Sequence, residues 1–435
     1  MARASDPIKA RAGAIWIVRR LRDHGHVAYF AGGCVRDALL GQHPTDYDVA
    51  TDAVPQRVRE LFPRTAEVGA AFGVVLVRVP GEHCSPGASS APSSHQRGPG
   101  GGVTVEVATF RSDGPYSDAR RPDSVHFSDP KSDAERRDFT INALFVDPIT
   151  PDGADKVIDF VGGIDDLNKR VLRAVGDPDK RLAEDHLRAL RAVRFAARLG
   201  FAIDPATAAA ITRHASELKG VSRERIGEEL RRMLAHPSRP EALALLEGLA
   251  LDAPVLTEPH RSGQLPVTRA LSGSVRVSTA LAAWLTDRAG AILPRDQVPE
   301  WVRRWRKALC LSNEEAADLA DILDELAALE SEWVGAGVAL RKRIANKRSF
   351  SPAQQLLRAI HPDRALKIEQ DVIQLQKDGV GLGPDPFITG DDLVASGMAP
   401  GPRFKRVLDL VYDAQLEGRI RTKPEAMELA GKVGV

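Results

Sequence analysis

The chain has 435 residues and a net charge of +1, with 43% hydrophobic and 27% charged residues. This composition is typical of a globular protein of several domains, and the near-neutral charge excludes a general attraction to nucleic acid or anionic membranes. Three scattered cysteines argue against a disulfide framework or zinc site, and no apolar run reaches the ~20 residues that span a bilayer, so we expect a cytoplasmic protein.

The first informative stretch is AGGCVRDALLGQHPTDYDVATD, residues 31–52. The preceding HVAYF predicts a strand that runs into a Gly32-Gly33 turn, and VRDALL predicts a short helix that ends at Gly41. Glycines let a backbone approach an anion closely, and the start of a helix offers free N–H groups. Arg36, in the first turn, can bind phosphate oxygens, so the turn predicts a phosphate-binding site.

Two carboxylates follow this turn within a strand-like segment. Asp46 and Asp48 are separated by one residue, which predicts that both leave the same face of a strand. Neighbouring carboxylates repel each other unless a cation lies between them, and oxygen ligands favour Mg²⁺. A phosphate-binding turn beside a carboxylate pair indicates metal-assisted chemistry on a nucleoside triphosphate.

The rest of the first 150 residues also predicts strands. VTVEVAT alternates cleanly, with Val103, Val105 and Val107 on one face. Before it, residues 80–102 contain 15 Gly, Pro or Ser among 23 residues, which predicts a disordered insertion in a hairpin loop.

From about residue 165 the pattern becomes helical. DKRLAEDHLRALRAVRFAARLGF, residues 179–201, predicts one amphipathic helix, on which Asp185 and Arg188 are neighbours and Arg191 and Arg194 continue the row. A carboxylate beside a guanidinium offers an acceptor and a donor that fit cytosine and adenine, whereas uracil and guanine would leave unpaired groups. The helix could therefore select a nucleotide base without a template. Further along, Ser312 and Glu315 predict a capping box.

Six motifs in order resemble the family of class II tRNA nucleotidyltransferases and bacterial poly(A) polymerases. They are GGCVRDALLG…TDYDVAT, RRDFTINALFVD, IDFVGGIDDLNKRVLRAVGDP, RLAEDHLRALRAVRF, SRERIGEELRRML and the C-terminal FITGDDLVASGMAPGPRFKRVLDLVYDAQLEGRI. The resemblance implies an α+β fold: an N-terminal nucleotidyltransferase head of the polymerase-β type with a small β-sheet, followed by an all-α neck, body and tail. We expect the head at residues 1–150, the neck at 151–240, the body at 241–380 and a tRNA-binding tail at 381–435.

The resemblance also implies roles for single residues. The metal would be Mg²⁺, with two ions held by Asp46 and Asp48 in a two-metal mechanism. Glu106, the acidic residue on the polar face of its strand, would be the third catalytic carboxylate. The nucleotide would be bound by Gly33, Arg36, Arg137 and Asp138, with the last as a sugar-hydroxyl acceptor. Asp185 and Arg188 would read the base, and Arg191 and Arg194 would lie nearer the phosphates or orient that pair.

The implied activity is addition of CCA to tRNA 3′ ends from CTP and ATP, and three alternatives remain open. A poly(A) polymerase shares the head and neck, but Ala70 and Ala71 stand where such enzymes tend to carry a basic pair. An A-adding enzyme that works with a CC-adding partner is a second alternative. An inactive RNA-binding protein is the third, against which the intact Asp46 and Asp48 count. The sequence does not indicate an oligomeric state.

RNA contacts are expected from local basic clusters in the helical half, because the net charge is near zero. The two clusters are Arg303, Arg304, Arg306 and Lys307, and Arg341, Lys342, Arg343, Lys347 and Arg348.

Overall fold

A computed structural model describes residues 6–67, 73–84, 102–116, 122–377, 380–399 and 401–434. The chain folds into two compact units, Met1–Val221 with Leu249–Pro254, and Ser222–Gly248 with Val255–Val435. The first unit contains the strands, and the described part of the second contains helices only, which confirms the predicted α+β class. The expected division into head, neck, body and tail stays a prediction.

Eleven strands are found among the described residues. They are β1 (Ala28–Ala31), β2 (Asp48–Thr51), β3 (Thr65–Glu67), β4 (Val74–Val79), β5 (Val103–Thr109), β6 (Arg111–Asp113), β7 (Val125–Phe127), β8 (Phe145–Asp147), β9 (Lys156–Ile158), β10 (Val171–Leu172) and β11 (Ala202–Ile203). Seven of them form the main sheet, in the order β3-β4-β5-β2-β1-β8-β9. All neighbours in that sheet are antiparallel except β2 and β5, which are parallel.

The α-helices of the described residues follow in chain order. They are α1 (Pro7–Asp23), α2 (Gly33–Leu39), α3 (Pro55–Leu61), α4 (Pro130–Glu135), α5 (Gly163–Lys169), α6 (Pro178–Glu184), α7 (Arg188–Leu199), α8 (Pro205–His214), α9 (Arg223–Leu234), α10 (Arg239–Gly248), α11 (Asp252–Leu256), α12 (Pro266–Ala270), α13 (Val277–Ala289), α14 (Val298–Leu309), α15 (Asn313–Ser331), α16 (Val338–Ala345), α17 (Phe350–Ile360), α18 (Pro362–Lys377), α19 (Gly390–Ala395), α20 (Pro402–Leu416) and α21 (Lys423–Gly434). None of these described helices has the length and apolarity needed to cross a membrane.

The core of the first unit lies between α1 and the main sheet. Val103, Val105 and Val107 are buried on that face, as their alternation predicts, and α1 buries Ile17 and Leu21 against it. The opposite face of β5 carries Glu106, which is exposed. Burial of one face thus fixes the side of the sheet to which the polar residues point.

The first residues of the insertion predicted at residues 80–102 are ordered. Gly81–His83 form a 3₁₀ turn, in which His83 is buried and stacks on Trp16 with ring centroids 4.6 Å apart. Cys84 is also buried, and its Sγ–H donates to the Pro80 carbonyl. The prediction of disorder is therefore wrong for residues 80–84, because an imidazole and a thiol at the end of β4 pack into the core. Residues 85–101 lie outside the described residues.

The buried contacts of His83 and Cys84 determine which residues can be deleted without loss of stability. Removing residues 86–100 should change the melting temperature little, because long surface loops contribute little to stability. Extending the deletion to residue 83 should lower it by several degrees, because it removes the buried His83 and Cys84. Thermal unfolding of the two variants measures the difference. Equal melting temperatures would show that the 3₁₀ turn contributes nothing.

Candidate active site

Two carboxylates lie side by side at the centre of the main sheet. Asp48 opens β2 and stands in register with Glu106 on the parallel strand β5. Residues in register on neighbouring strands project from the same face, so both carboxylates point to the same side. Asp46 lies just before β2 and is exposed. The register of β2 and β5 therefore brings Asp48 and Glu106 together, and Asp46 lies near enough to repel the Asp48 carboxylate.

The electrostatic environment of Asp48 is unusual. The surrounding protein raises the pKa of this carboxyl from 3.8 to about 6, mainly by removing part of its hydration. Repulsion from Glu106 and Asp46 raises it further, and the Arg137 guanidinium partly offsets both effects. A cation between these carboxylates would relieve the repulsion.

The donor set fits a hard divalent ion that keeps other ligands. Within the described ranges, no three His, Cys, Asp or Glu side chains form a group that could hold a metal by themselves. Mg²⁺ is commonly bound by one or two carboxylates and completes its shell with water and substrate phosphates. The carboxylates beside β2 and β5 meet that requirement.

The glycine turn is shaped by an arginine as well as by the backbone. Gly32 has φ 73°, and a Cβ atom there would lie 3.0 Å from Nη1 of Arg137. Only glycine allows this approach without strain. α2 begins at Gly33, two residues before the predicted start at Val35, so the start of the helix and Arg137 are adjacent.

Three hydrogen bonds within the protein fix the Arg137 guanidinium. Its Nε and Nη2 donate to Asp133 Oδ2 at 3.1 and 2.9 Å, and its Nη1 donates to the Asn142 carbonyl at 3.0 Å. Burial alone would raise the pKa of Asp133, but Arg137 and Arg136 outweigh it and lower that pKa. Asp133 therefore stays ionised and fixes two arginines at the edge of the site.

Asn142 connects several of the predicted residues, although the sequence alone suggests only a turn-stabilising role for it. Its Oδ1 accepts from Arg36 Nη1 at 2.5 Å, and its Nδ2 donates to Asp138 Oδ1 at 3.2 Å. Arg36 also pairs with Asp37 at 2.6 Å. Asn142 is buried, and it stands among the apolar residues of RRDFTINAL, which predict a core segment. A polar residue within a predicted core segment needs a hydrogen-bond partner, and this signal could have identified Asn142.

Both oxygens of Asp138 are bonded within the protein. Its Oδ2 accepts from Arg191 Nε and Nη2 at 2.9 and 2.6 Å, while its Oδ1 accepts from the Phe139 N–H and Asn142. Burial opposes ionisation, but the Arg191 pair and these hydrogen bonds lower the pKa of Asp138. In this structure the carboxylate positions Arg191, and its role as a sugar-hydroxyl acceptor stays a prediction.

The single helix predicted across residues 179–201 is broken. α6 ends at Glu184 and α7 begins at Arg188, and Asp185 has extended backbone angles, φ −148° and ψ 104°. Its Oδ1 accepts from the N–H of Leu187, the N-cap residue of α7, at 3.0 Å, which forms a local turn between the two helices. The prediction that Asp185 and Arg188 are neighbours on one continuous helix is therefore wrong, because the Asp185 side chain competes with the helical hydrogen bonds.

Arg188 is engaged by another carboxylate. Its Nη1 donates to Glu184 Oε2 at 2.6 Å and to the Arg181 carbonyl at 2.8 Å. Asp185 and Arg188 nevertheless both line the same cavity as Asp48. The structure therefore brings both side chains to one cavity, where Glu184 holds Arg188.

This cavity has a volume of about 450 Å³ and unites most of the predicted residues. Six arginines and four carboxylates line it, together with the glycine turn, Asn142 and Phe195. The charged residues are Arg36, Arg111, Arg136, Arg137, Arg188, Arg191, Asp48, Glu106, Asp138 and Asp185. The excess of cations on a nearly neutral protein indicates an anionic ligand. Arg194 is not among the lining residues, and its guanidinium lies 4.2 Å from the Phe195 ring centre.

The basic clusters of the second unit have partners within the protein. Lys342 is only 2% exposed, Arg343 pairs with Asp413 at 2.6 Å, and Lys347 pairs with Glu325 at 2.7 Å. In the other cluster, Arg304 pairs with Glu258 at 2.6 Å. RNA contact by these clusters stays a prediction. The Ala70-Ala71 position, which bears on the choice between activities, lies outside the described residues.

Comparison with known proteins identifies the family. Residues 28–173 match the model of the poly A polymerase head domain, and residues 200–260 match a probable RNA and SrmB-binding site of polymerase A. The CCA-adding enzyme of Geobacillus kaustophilus is 32% identical over 431 residues, covering 95% of this chain and 94% of its own. That of Geobacillus thermodenitrificans is 33% identical over 426 residues, covering 95% and 94%.

A solved structure supports the same assignment over nearly the whole length. The crystal structure of the Bacillus stearothermophilus CCA-adding enzyme in complex with CTP has a TM-score of 0.71 and 28% identity to this chain, covering 98% of both. The sequence similarity, the matching fold and the cavity of carboxylates and arginines agree, and the chain belongs to the CCA-adding enzyme family of nucleotidyltransferases.

Proposed function

We propose that this protein is a tRNA nucleotidyltransferase that adds C, C and A to the 3′ end of tRNA from CTP and ATP, with release of pyrophosphate. The observation that carries the proposal is a single cavity that holds in-register carboxylates on β2 and β5 and six arginines. The relatives named CCA-adding enzyme and the structure with bound CTP support the choice of substrates. Such an enzyme works on tRNA in the cytoplasm.

The triphosphate is bound by the glycine turn and two arginines. Gly33 opens α2 and presents backbone N–H groups, while Arg36 and Arg137 are already held by Asp37, Asn142 and Asp133. Groups fixed before the substrate arrives need no reorganisation during the reaction. The chain therefore contributes mainly positioning and stabilisation of charge.

Nucleotidyltransferases of this family generally use a divalent metal ion. We propose Mg²⁺, held by Asp46 and Asp48, with Glu106 beside Asp48 as the third carboxylate. When bound, the ion supplies charge neutralisation at the phosphates and acidity to a coordinated hydroxyl. These carboxylates would supply oxygen ligands to the ion.

The reaction is a displacement at the α-phosphorus of the nucleotide. The tRNA 3′-hydroxyl releases its proton to solvent, its oxygen bonds to the α-phosphorus, and the bond between the α-phosphorus and the pyrophosphate oxygen breaks. Arg36 and Arg137 balance the charge of the departing pyrophosphate. Asp185 and Arg188 present the acceptor and donor that distinguish cytosine and adenine from uracil and guanine, which requires both side chains to leave part of their present hydrogen bonds.

A primer-extension assay tests the proposal directly. The enzyme is incubated with tRNA that lacks its 3′ CCA, with each NTP singly and with all four, and products are separated on a sequencing gel. We expect two additions with CTP alone and three with CTP and ATP. A single A added only to tRNA ending in CC would indicate an A-adding enzyme. Long A tails would indicate a poly(A) polymerase.

A further inference from the structure

One aromatic ring contacts arginines from two distant segments of the cavity. The guanidinium carbons of Arg36, Arg191 and Arg194 lie 5.2, 5.4 and 4.2 Å from the ring centre of Phe195. Cations within about 6 Å of an aromatic ring centre are attracted by its π electrons. Phe195 is the residue around which these three cations gather.

The ring itself has a fixed position. Phe195 is only 9% exposed and packs edge-on against the buried Phe139, with ring centroids 6.1 Å apart and planes at 77°. Phe139 follows Asp138, whose carboxylate binds Arg191. A ring anchored in this way cannot turn without disturbing the core.

The Phe195 ring offsets the repulsion between two of these arginines. Arg36 and Arg191 come from α2 and α7 and repel each other when drawn to one place. Their carboxylate partners, Asp37 and Asp138, hold the edges of the two guanidinium groups. A ring contact engages a face of a guanidinium and leaves its N–H edges for planar hydrogen bonds. Nη1 and Nη2 of Arg36 bond Asn142 and Asp37, and each carries a second N–H that can serve a ligand in the cavity that both arginines line.

We propose that Phe195 is a positioning residue for the triphosphate: it orients Arg36 and Arg191 and has no role in base selection. This inference rests on the proposed function. Removing the ring while keeping an apolar side chain should loosen both guanidinium groups and weaken phosphate binding. Because the phosphates are common to all nucleotides, CTP and ATP should be affected equally.

The test compares Phe195→Leu, Phe195→Tyr and the wild type. We expect Phe195→Leu to raise KM for CTP and for ATP by the same factor, about five- to thirtyfold, with kcat within about twofold and the ranking of the four NTPs unchanged. The Kd of inorganic tripolyphosphate, measured by calorimetry on the free enzyme, should rise by that factor as well. Phe195→Tyr keeps a π face and should restore both values.

Phe201→Leu is the matched control, because Phe201 is 6% exposed, follows α7 and does not line the cavity. It should leave KM and the tripolyphosphate Kd unchanged. The inference is overturned if Phe195→Leu lowers only the melting temperature, or if it changes the ranking of nucleotides while tripolyphosphate binds normally. Failure of the wild type to extend tRNA contradicts the proposed function instead, whereas the tripolyphosphate measurement still decides the role of Phe195.

Discussion

Asp48→Asn should reduce nucleotide incorporation on the order of a thousandfold while leaving tRNA affinity and the fold intact. The change is nearly isosteric but removes the charge that a divalent ion needs, and losing about 4 kcal/mol of transition-state stabilisation gives a factor of this size. Single-turnover rates in saturating Mg²⁺, with tRNA binding measured in parallel, check the result. Asp52→Asn serves as control, because Asp52 follows β2 and does not line the cavity.

The same variant should be more stable than the wild type at neutral pH. The folded state raises the pKa of Asp48 from 3.8 to about 6, so the fold favours the protonated form. The contribution of Asp48 to the free energy of unfolding is therefore fully present below pH 4 and is lost as the pH rises through 6. Because Asp48 is exposed, solvent screening limits the effect to about 1 kcal/mol.

Thermal unfolding of both proteins without metal, between pH 4 and pH 8, measures this difference. Asp48→Asn should melt higher above pH 6, and the two curves should converge towards pH 4. Added Mg²⁺ should stabilise the wild type and not the variant. A variant that incorporates nucleotide at more than a few per cent of the wild-type rate would contradict the metal assignment.

Asp185→Ala should lower the ratio of kcat/KM for CTP or ATP to that for UTP or GTP by about ten- to a hundredfold. The reason is the loss of a hydrogen bond to a charged group, which contributes on the order of 1.5–3 kcal/mol. The triphosphate contacts at Gly33, Arg36 and Arg137 remain, so chemistry with CTP should slow less than discrimination falls. Arg188→Ala should act similarly, and the double variant should be less than additive because the two side chains serve one base. kcat/KM for CTP, ATP, UTP and GTP on one tRNA primer measures all three.

The broken helix adds a structural effect to this experiment. The Asp185 side chain also accepts from the Leu187 N–H just before α7, so its loss should cost about 1 kcal/mol of stability. Asp177→Ala is a matched control, because Asp177 also accepts from the N–H two residues ahead, at the start of α6, and does not line the cavity. If Asp185→Ala and Asp177→Ala lose similar stability and both keep the wild-type ranking of nucleotides, Asp185 stabilises the turn and does not read the base.

The features that sequence predicts well are those decided by near neighbours. The alternation of Val103, Val105 and Val107 identifies the buried face of β5, and the capping box of Ser312 and Glu315 is present at the start of α15. Both depend on side chains a few residues apart, whose effect on the backbone is independent of the rest of the fold.

The features that sequence misses depend on distant partners. The ordering of His83 comes from Trp16, and the role of Asp138 comes from Arg191. Asn142 joins Arg36, which is 106 residues away, and no local pattern reports that distance. The break at Asp185 is the exception, since an aspartate in the middle of a predicted helix already favours a cap.

The order of the strands has a consequence for how the protein is made. β1 lies between β2 and β8, and the cavity is lined by residues from Ala31 to Phe195. During synthesis, β1 therefore lacks one of its neighbours for more than a hundred residues, and the arginines on α7 appear still later. Contacts of such sequence separation form slowly because the connecting chain must first close. A nascent chain that ends before Phe195 lacks some of the residues that line the cavity. The complete active site can therefore form only after α7 has been synthesised.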